Sequence, residues 1–181
     1  MQKIICDVVI ECVSGDIARQ TDIAAVVNAA NAQLRTGGGV AGALHREAGP
    51  GLEEECRPLA PIKPGQAVIT SGHNLPNSFV IHCLGPVYGV DKPEDQLLAA
   101  CYRNALLLAE EYQITSLAFP SISTGAFGYP LEEAPIIAFR TVRDTAPALK
   151  TVKLIRFVLH GSDALARHED ILEQVFAETE K

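Results

Sequence analysis

The 181-residue chain has no tryptophan, a single methionine and only 6% aromatic residues, so its interior must be filled mainly by aliphatic side chains. No apolar run approaches the roughly 20 residues that a membrane-spanning helix needs, which argues against a transmembrane protein. The five cysteines (Cys6, Cys12, Cys56, Cys83 and Cys101) form no C-x-x-C pair, and no histidine stands at zinc-finger spacing from them. Buried, reduced thiols are expected, with neither a metal nor a cofactor. Positive charge is scarce: 15 Lys and Arg face 22 Asp and Glu, a net charge of −7, and the basic residues are scattered. Duplex nucleic acid is therefore a poor partner, because affinity for it comes largely from neutralising phosphates with Lys and Arg. A small anion is not excluded, since backbone N–H groups and helix N-termini hold one without formal charge.

What is present describes an ordinary globule. Hydrophobic residues make up 48% and charged residues 20%, with no linker, repeat or low-complexity tract. At this length one domain spanning 1–181 is expected, burying about 70% of the surface that the unfolded chain exposes. The opening MQKIICDVVIEC carries charge at Asp7 and Glu11 and alternates like a strand, unlike a signal peptide. The cytoplasm is the expected compartment, and a monomer the expected state.

Strand-like and helix-like runs alternate along the chain. Residues 4–13, 23–30, 66–72, 79–85, 116–120 and 153–160 read as strands; 42–49, 52–57, 94–112, 131–146 and 163–178 read as helices. The Gly49-Pro50-Gly51 turn separates the first two helices, and Pro135 sits near the start of its own, where a missing N–H does little harm. This alternation predicts an α/β fold with a sheet between helical layers. The early strand pair without a long helix between its members predicts a mixed, mostly parallel sheet. Ligands of such sheets lie beyond the carboxyl ends of the strands.

Two loops leave apolar strands where that rule directs attention. The first runs from Asn28-Ala29-Ala30-Asn31 to Gly37-Gly38-Gly39-Val40-Ala41-Gly42 and opens a helix. Successive glycines allow a close backbone approach, and a helix N-terminus aims unpaired N–H groups at an anion. The second is Pro120-Ser121-Ile122-Ser123-Thr124-Gly125-Ala126-Phe127-Gly128-Tyr129-Pro130, also between strand and helix. Two such loops on one sheet edge suit a diphosphate gripped from both sides. Neither loop carries the Walker A lysine or the G-x-G-x-x-G spacing, so neither ATP hydrolysis nor a Rossmann dinucleotide site is supported.

VVNAAN, GGGVAGALHREAGPGLEEEC, QAVIT, VIHCLGPVY and FPSISTGAFGYP occur in this order. In order and spacing they resemble the macrodomain family, in its bacterial MacroD-like branch, over essentially the whole chain. The resemblance implies a three-layer α/β/α fold and ADP-ribose, free or on an ADP-ribosylated protein, as the ligand. It implies that Asp16, with the backbone of Ile17, meets the adenine and that Asn31 hydrogen-bonds the distal ribose hydroxyls. Gly38, Gly39, Val40 and Ala41 would wrap the distal ribose and one phosphate. Ser123, Thr124, Gly125, Ala126 and Phe127 would wrap the diphosphate from the other side, with the Phe127 ring against the ribose.

The chain departs from the pattern in two places. Hydrolytic MacroD-like members usually read GGGVDG, with the Asp acting on water; here that residue is Ala41, and losing a general base typically costs about 10²–10⁴-fold. Some viral macrodomains resemble this chain in reading GGGVAGAL and still remove ADP-ribose, with a ligand phosphate activating the water. The resemblance thus implies a hydrolase of ADP-ribosyl esters (O-acetyl-ADP-ribose or mono-ADP-ribosylated Asp/Glu), with Asn31 as the catalytic residue. The alternative is a non-catalytic reader of ADP-ribose. A phosphatase acting on a phosphorylated ADP-ribose, or an RNA ligand, is a distant third reading. Secondly, the segment after the last strand lacks the aromatic ring that many relatives stack on adenine, leaving Leu165 or His168 to supply a wall. His82 reads as a satisfied core residue and His45 as a packing residue.

Overall fold

The computed structural model describes residues 1–179. Two residues in the left-handed region decide how the chain begins. Cys6 (φ 50°) and Asp7 (φ 62°) turn it back on itself. The single strand expected over 4–13 is therefore a hairpin, in which β1 (Gln2–Ile5) pairs antiparallel with β2 (Val8–Ser14) and Ile5 faces Val8. Positive φ at both central positions is the geometry of a two-residue type I′ turn. Cys6 stands at its tip, exposed, contrary to the expectation of five buried thiols; the other four are buried and all five are free.

Five further strands complete the sheet: β3 (Ala25–Ala29), β4 (Ala67–Ser71), β5 (Phe79–Cys83), β6 (Ser116–Phe119) and β7 (Leu154–Leu159). Their order is β1-β2-β7-β6-β3-β5-β4. β2, β7, β6, β3 and β5 run parallel to their neighbours, and β1 and β4 close the two edges antiparallel. The expected mixed, mostly parallel sheet is what forms. β3 lies inside it, and Val26 and Val27 are fully buried on opposite faces, which is why its sequence is continuously apolar rather than alternating.

Each face is covered by helices. On one, α1 (Gly39–Ala48) and α2 (Pro50–Cys56) bury Leu44, Ala48, Leu52 and Cys56 against Val26 and Val80. Gly49, at φ 81°, breaks the chain between them, and Pro50 starts the second. On the other face lie α3 (Glu94–Glu111), α4 (Ala134–Thr145) and α5 (Ser162–Ala177). Here Tyr102, Phe119, Phe139 and Phe157 form a ring cluster with centroids 4.7–6.0 Å apart. Four of the ten aromatics of the chain thus fill the space under α3 and α4, where their large areas add to burial. The result is three layers, α/β/α.

Candidate functional site

Because five neighbouring strands are parallel, their carboxyl ends share one edge, and the loops that leave them are brought together there. After β3 the chain turns at Asn31. Its side-chain amide donates from Nδ2 to the Arg35 carbonyl (2.8 Å) and accepts at Oδ1 from the Arg35 N–H (3.0 Å). One N–H and one lone pair of the amide remain free, the pair that a vicinal diol requires. Gly38 caps α1 in extended geometry and Gly39 follows at φ 54°. A Cβ on either would meet nothing within 4 Å, so both face open space. Deeper in, a Cβ on Gly42 would lie 2.3 Å from the Gly37 carbonyl oxygen, so the loop packs directly on the helix backbone. Val40 is half-buried and Ala41 is buried. The first N–H groups of α1 have no partner within the helix and point to this edge.

The second loop leaves the adjacent β6. Its base is fixed by the Ile122 N–H on the Tyr102 hydroxyl (3.2 Å) and its end by the Tyr129 N–H on the Ser123 carbonyl (2.9 Å). Ser123 sits at φ 66°, buried, with its hydroxyl unpaired. Gly125 and Ala126 are exposed at the tip, and Phe127 is half-buried against the core on the α1/α2 side. The N–H groups of Gly125, Ala126 and Phe127 carry no backbone hydrogen bond, and a Cβ on Gly125 would meet nothing within 4 Å. Thr124 caps the turn by donating to the Ser121 carbonyl (2.9 Å). This side of the cleft therefore has no cation. It offers unpaired amide donors and space, a combination suited to a diphosphate.

At the far end, the loop after β2 carries Asp16, whose carboxylate accepts from the Ala18 N–H (2.9 Å) and stands 3.5 Å from Arg19 Nε. The Gln20 side chain holds the Asp16 carbonyl at 2.8 Å, and Ile17 is buried below. The Gly15 N–H reaches the Leu159 carbonyl (3.0 Å), so this turn is tied to the end of β7. The structure thus gathers the expected residues of both loops and Asp16 along one edge.

Comparison with known proteins places the fold in a family. The Macro domain family model matches residues 27–138. The chain belongs to the macrodomain family. It is 52% identical over 139 residues to a macro domain-containing protein of Chlorobaculum tepidum, covering 76% of this chain and 80% of that one. It superposes on the Oceanobacillus iheyensis macrodomain solved with ADP at a TM-score of 0.93 and 38% identity, covering 98% and 97% of the two chains. A Trypanosoma brucei macrodomain solved in complex with ADP-ribose is similar at a TM-score of 0.81 and 35% identity, covering 89% and 68%.

One expectation for this macrodomain is overturned. His168 offers no adenine wall. It is buried, with Nδ1 on the Ala164 carbonyl at 2.8 Å and its ring edge-on to Phe139. It lies on the face of α5 that must cover the sheet, so the 3.6-residue period spends it on packing. Leu165, one turn earlier, is half-buried at the border of the same core. His82 is a satisfied core residue, as expected. Opposite it in the sheet, Asn28 supplies an Nδ2 donor to His82 Nδ1 (3.0 Å), and Thr70 Oγ1 lies 2.9 Å from Nε2. Burial, and then the neighbouring His45, push its pKa down to about 3. His45 is buried with both ring nitrogens unpaired, and burial lowers its pKa too, so both rings are neutral at pH 7.

Sequence reasoning missed residues that shape the second loop. A Cβ on Gly85, just beyond β5, would lie 2.1 Å from Ser123 Oγ and 2.7 Å from Ile122 Cγ2. Tyr88 donates its N–H to the Phe127 carbonyl (2.9 Å) and packs on Tyr129 with ring centroids 4.9 Å apart. Gly85 and Tyr88 both lie in the run VIHCLGPVY, directly after a strand whose carboxyl end reaches this edge.

Proposed function

We propose that this macrodomain binds ADP-ribose across its two loops and hydrolyses ADP-ribosyl esters, either O-acetyl-ADP-ribose or mono-ADP-ribosylated Asp/Glu on proteins. The observation that carries the reading is the pairing of two glycine-bearing loops on adjacent parallel strands. Their exposed tips leave open space and unpaired N–H donors on both sides of one cleft. The ADP and ADP-ribose complexes of the two solved relatives support the same ligand class.

In this reading Asp16 accepts from the adenine amino group, beside the backbone of Ile17. The α1 N-terminus (Gly38, Gly39, Val40, Ala41) and Ser123 to Phe127 hold the diphosphate. The free N–H and lone pair of Asn31 orient the distal ribose. A water oxygen bonds to the electrophilic carbon of the ester, and the C–O bond breaks with its electron pair going to the departing oxygen. One proton of the water ends on the released hydroxyl and the other passes to solvent as the acid ionises. Ala41 cannot act as a base, so a phosphate oxygen of the ligand orients and activates the water, and turnover is slow.

Ala41 also favours a second reading, a reader that holds ADP-ribose without turnover. The deciding experiment measures release of ADP-ribose from a protein mono-ADP-ribosylated on acidic side chains by wild type, Asn31→Ala and Ala41→Asp. Release by wild type that Asn31→Ala loses supports the enzyme. Absence of release by wild type, with tight ADP-ribose binding, supports the reader.

A further inference from the structure

Beside the Asn31–Arg35 turn lies a second concavity of about 320 Å³, lined by Gln33, Leu34, Arg35, Glu53, Arg57 and Ala60. It belongs to neither glycine loop. Its volume is near the lower limit of small-molecule pockets, enough for one or two side chains and too little for a nucleotide. Arg35 and Arg57 are both exposed, and among the described residues neither guanidinium has an ion-pair or side-chain hydrogen-bond partner. In a chain of net charge −7, two unpaired guanidiniums lining one pocket depart from the general balance. Glu53, half-buried, is the only carboxylate in the lining, which leaves the pocket with a local excess of one positive charge.

The pocket's position gives that excess a meaning. Arg35 is the residue whose backbone Asn31 holds at both N–H and C=O, so the pocket begins where the turn assigned to the distal ribose ends. Whatever is attached to that ribose leaves the cleft beside it. We propose that this pocket receives acidic side chains flanking an ADP-ribosylated Asp or Glu, making acidic polypeptide segments, and not small O-acyl esters, the preferred substrate or ligand. The inference rests on the ADP-ribose reading above. Guanidiniums suit the task because their planar fork matches a carboxylate bidentately, and Gln33 adds a neutral donor.

Two mono-ADP-ribosylated peptides joined through a non-scissile linkage test the proposal, one flanked by Asp/Glu and the other by Asn/Gln. Both, and free ADP-ribose, are titrated against wild type, Arg57→Glu and Glu53→Gln at low ionic strength. Wild type is expected to prefer the acidic peptide by about three- to tenfold, the yield of two exposed ion pairs. Arg57→Glu abolishes the preference, Glu53→Gln widens it, and free ADP-ribose binds all three alike. The opposite signs of the two variants separate a charge effect from damage to the fold. Normal ADP-ribose affinity with no flank preference, or a preference that survives Arg57→Glu, would overturn this inference alone. Failure of wild type to bind ADP-ribose would overturn the underlying reading and this inference with it.

Discussion

Asn31 grips the backbone of Arg35 at both ends, donating to its carbonyl at 2.8 Å and accepting from its N–H at 3.0 Å. The amide proposed to meet the ribose is thereby aimed before any ligand arrives, and pre-aimed groups lose less entropy on binding. Asn31→Ala removes both bonds and, with them, the proposed ribose contact. Turnover should fall about 100-fold, the scale of a modest misplacement of substrate. Stability should fall by only about 1–2 kcal/mol, since each hydrogen bond contributes roughly 1 kcal/mol net. Thermal melting and single-turnover release, measured on one preparation, check both halves; a wild-type rate would remove Asn31 from the mechanism.

The open space in front of Gly38 and Gly125 allows binding to be tested apart from folding. A Cβ at either position touches nothing within 4 Å, and Gly38 has an extended backbone that any residue adopts. Gly38→Val and Gly125→Glu should therefore melt within about 2–4 °C of wild type, the shift of about 1 kcal/mol for a chain this size. Gly125→Glu should lose ADP-ribose binding in a calorimetric titration, by filling the phosphate volume and adding like charge, and Gly38→Val should bind more weakly. Wild-type affinity in either would remove that loop from the site.

Gly85 and Ser123 give the opposite case, in which a side chain has nowhere to go. A methyl on Gly85 would lie 2.1 Å from Ser123 Oγ, so Gly85→Ala must push the second loop away from β5. Overpacking of this kind costs about 1–3 kcal/mol. The variant should melt lower and bind ADP-ribose more weakly by at least about tenfold. Ser123→Ala removes a buried hydroxyl that has no partner, so on stability alone it should be neutral or favourable. The double variant should recover part of the affinity lost by Gly85→Ala. No recovery would mean that the contact with Ile122 Cγ2, at 2.7 Å, dominates.

The order of strands and helices and both glycine loops were legible because each carries a local signal: an apolar run, a 3.6-residue period or a glycine cluster at a strand end. The type I′ turn at Cys6-Asp7 was not, because neither residue belongs to the Asn-Gly or Asp-Gly pairs that mark such turns, and the apolar run continues beyond it. The close approach of Gly85 to Ser123 was hidden for another reason. It depends on β5 and β6 flanking β3 in the sheet, a long-range arrangement that no window of sequence reports. His168 illustrates the same limit: its place near a ligand-facing strand end suggested a site, while its helical phase turned it into the core.

His82 gives the fold a dependence on pH whose sign is fixed by its surroundings. It is fully buried between Asn28 and Thr70, and its folded pKa is pushed down to about 3, whereas in the unfolded chain it titrates near the ordinary histidine value of 6.5. Between these limits the unfolded state binds a proton that the native state refuses. Stability is therefore complete above about pH 6.5 and falls as the pH drops below it, by about 1.4 kcal/mol per pH unit from this residue alone. His45 and His168, also lowered by burial, act in the same direction, so the wild-type slope is steeper than one histidine gives. The decisive quantity is the difference between wild type and His82→Gln in urea unfolding at pH 6.5 and 5.5, above the range where carboxylates titrate. His82→Gln should be less stable at pH 6.5, having lost its fit between Asn28 and Thr70, yet should lose about 1 kcal/mol less than wild type on going to pH 5.5. Equal losses in the two proteins would mean that the buried ring accepts its proton without opening the sheet between β3, β5 and β4.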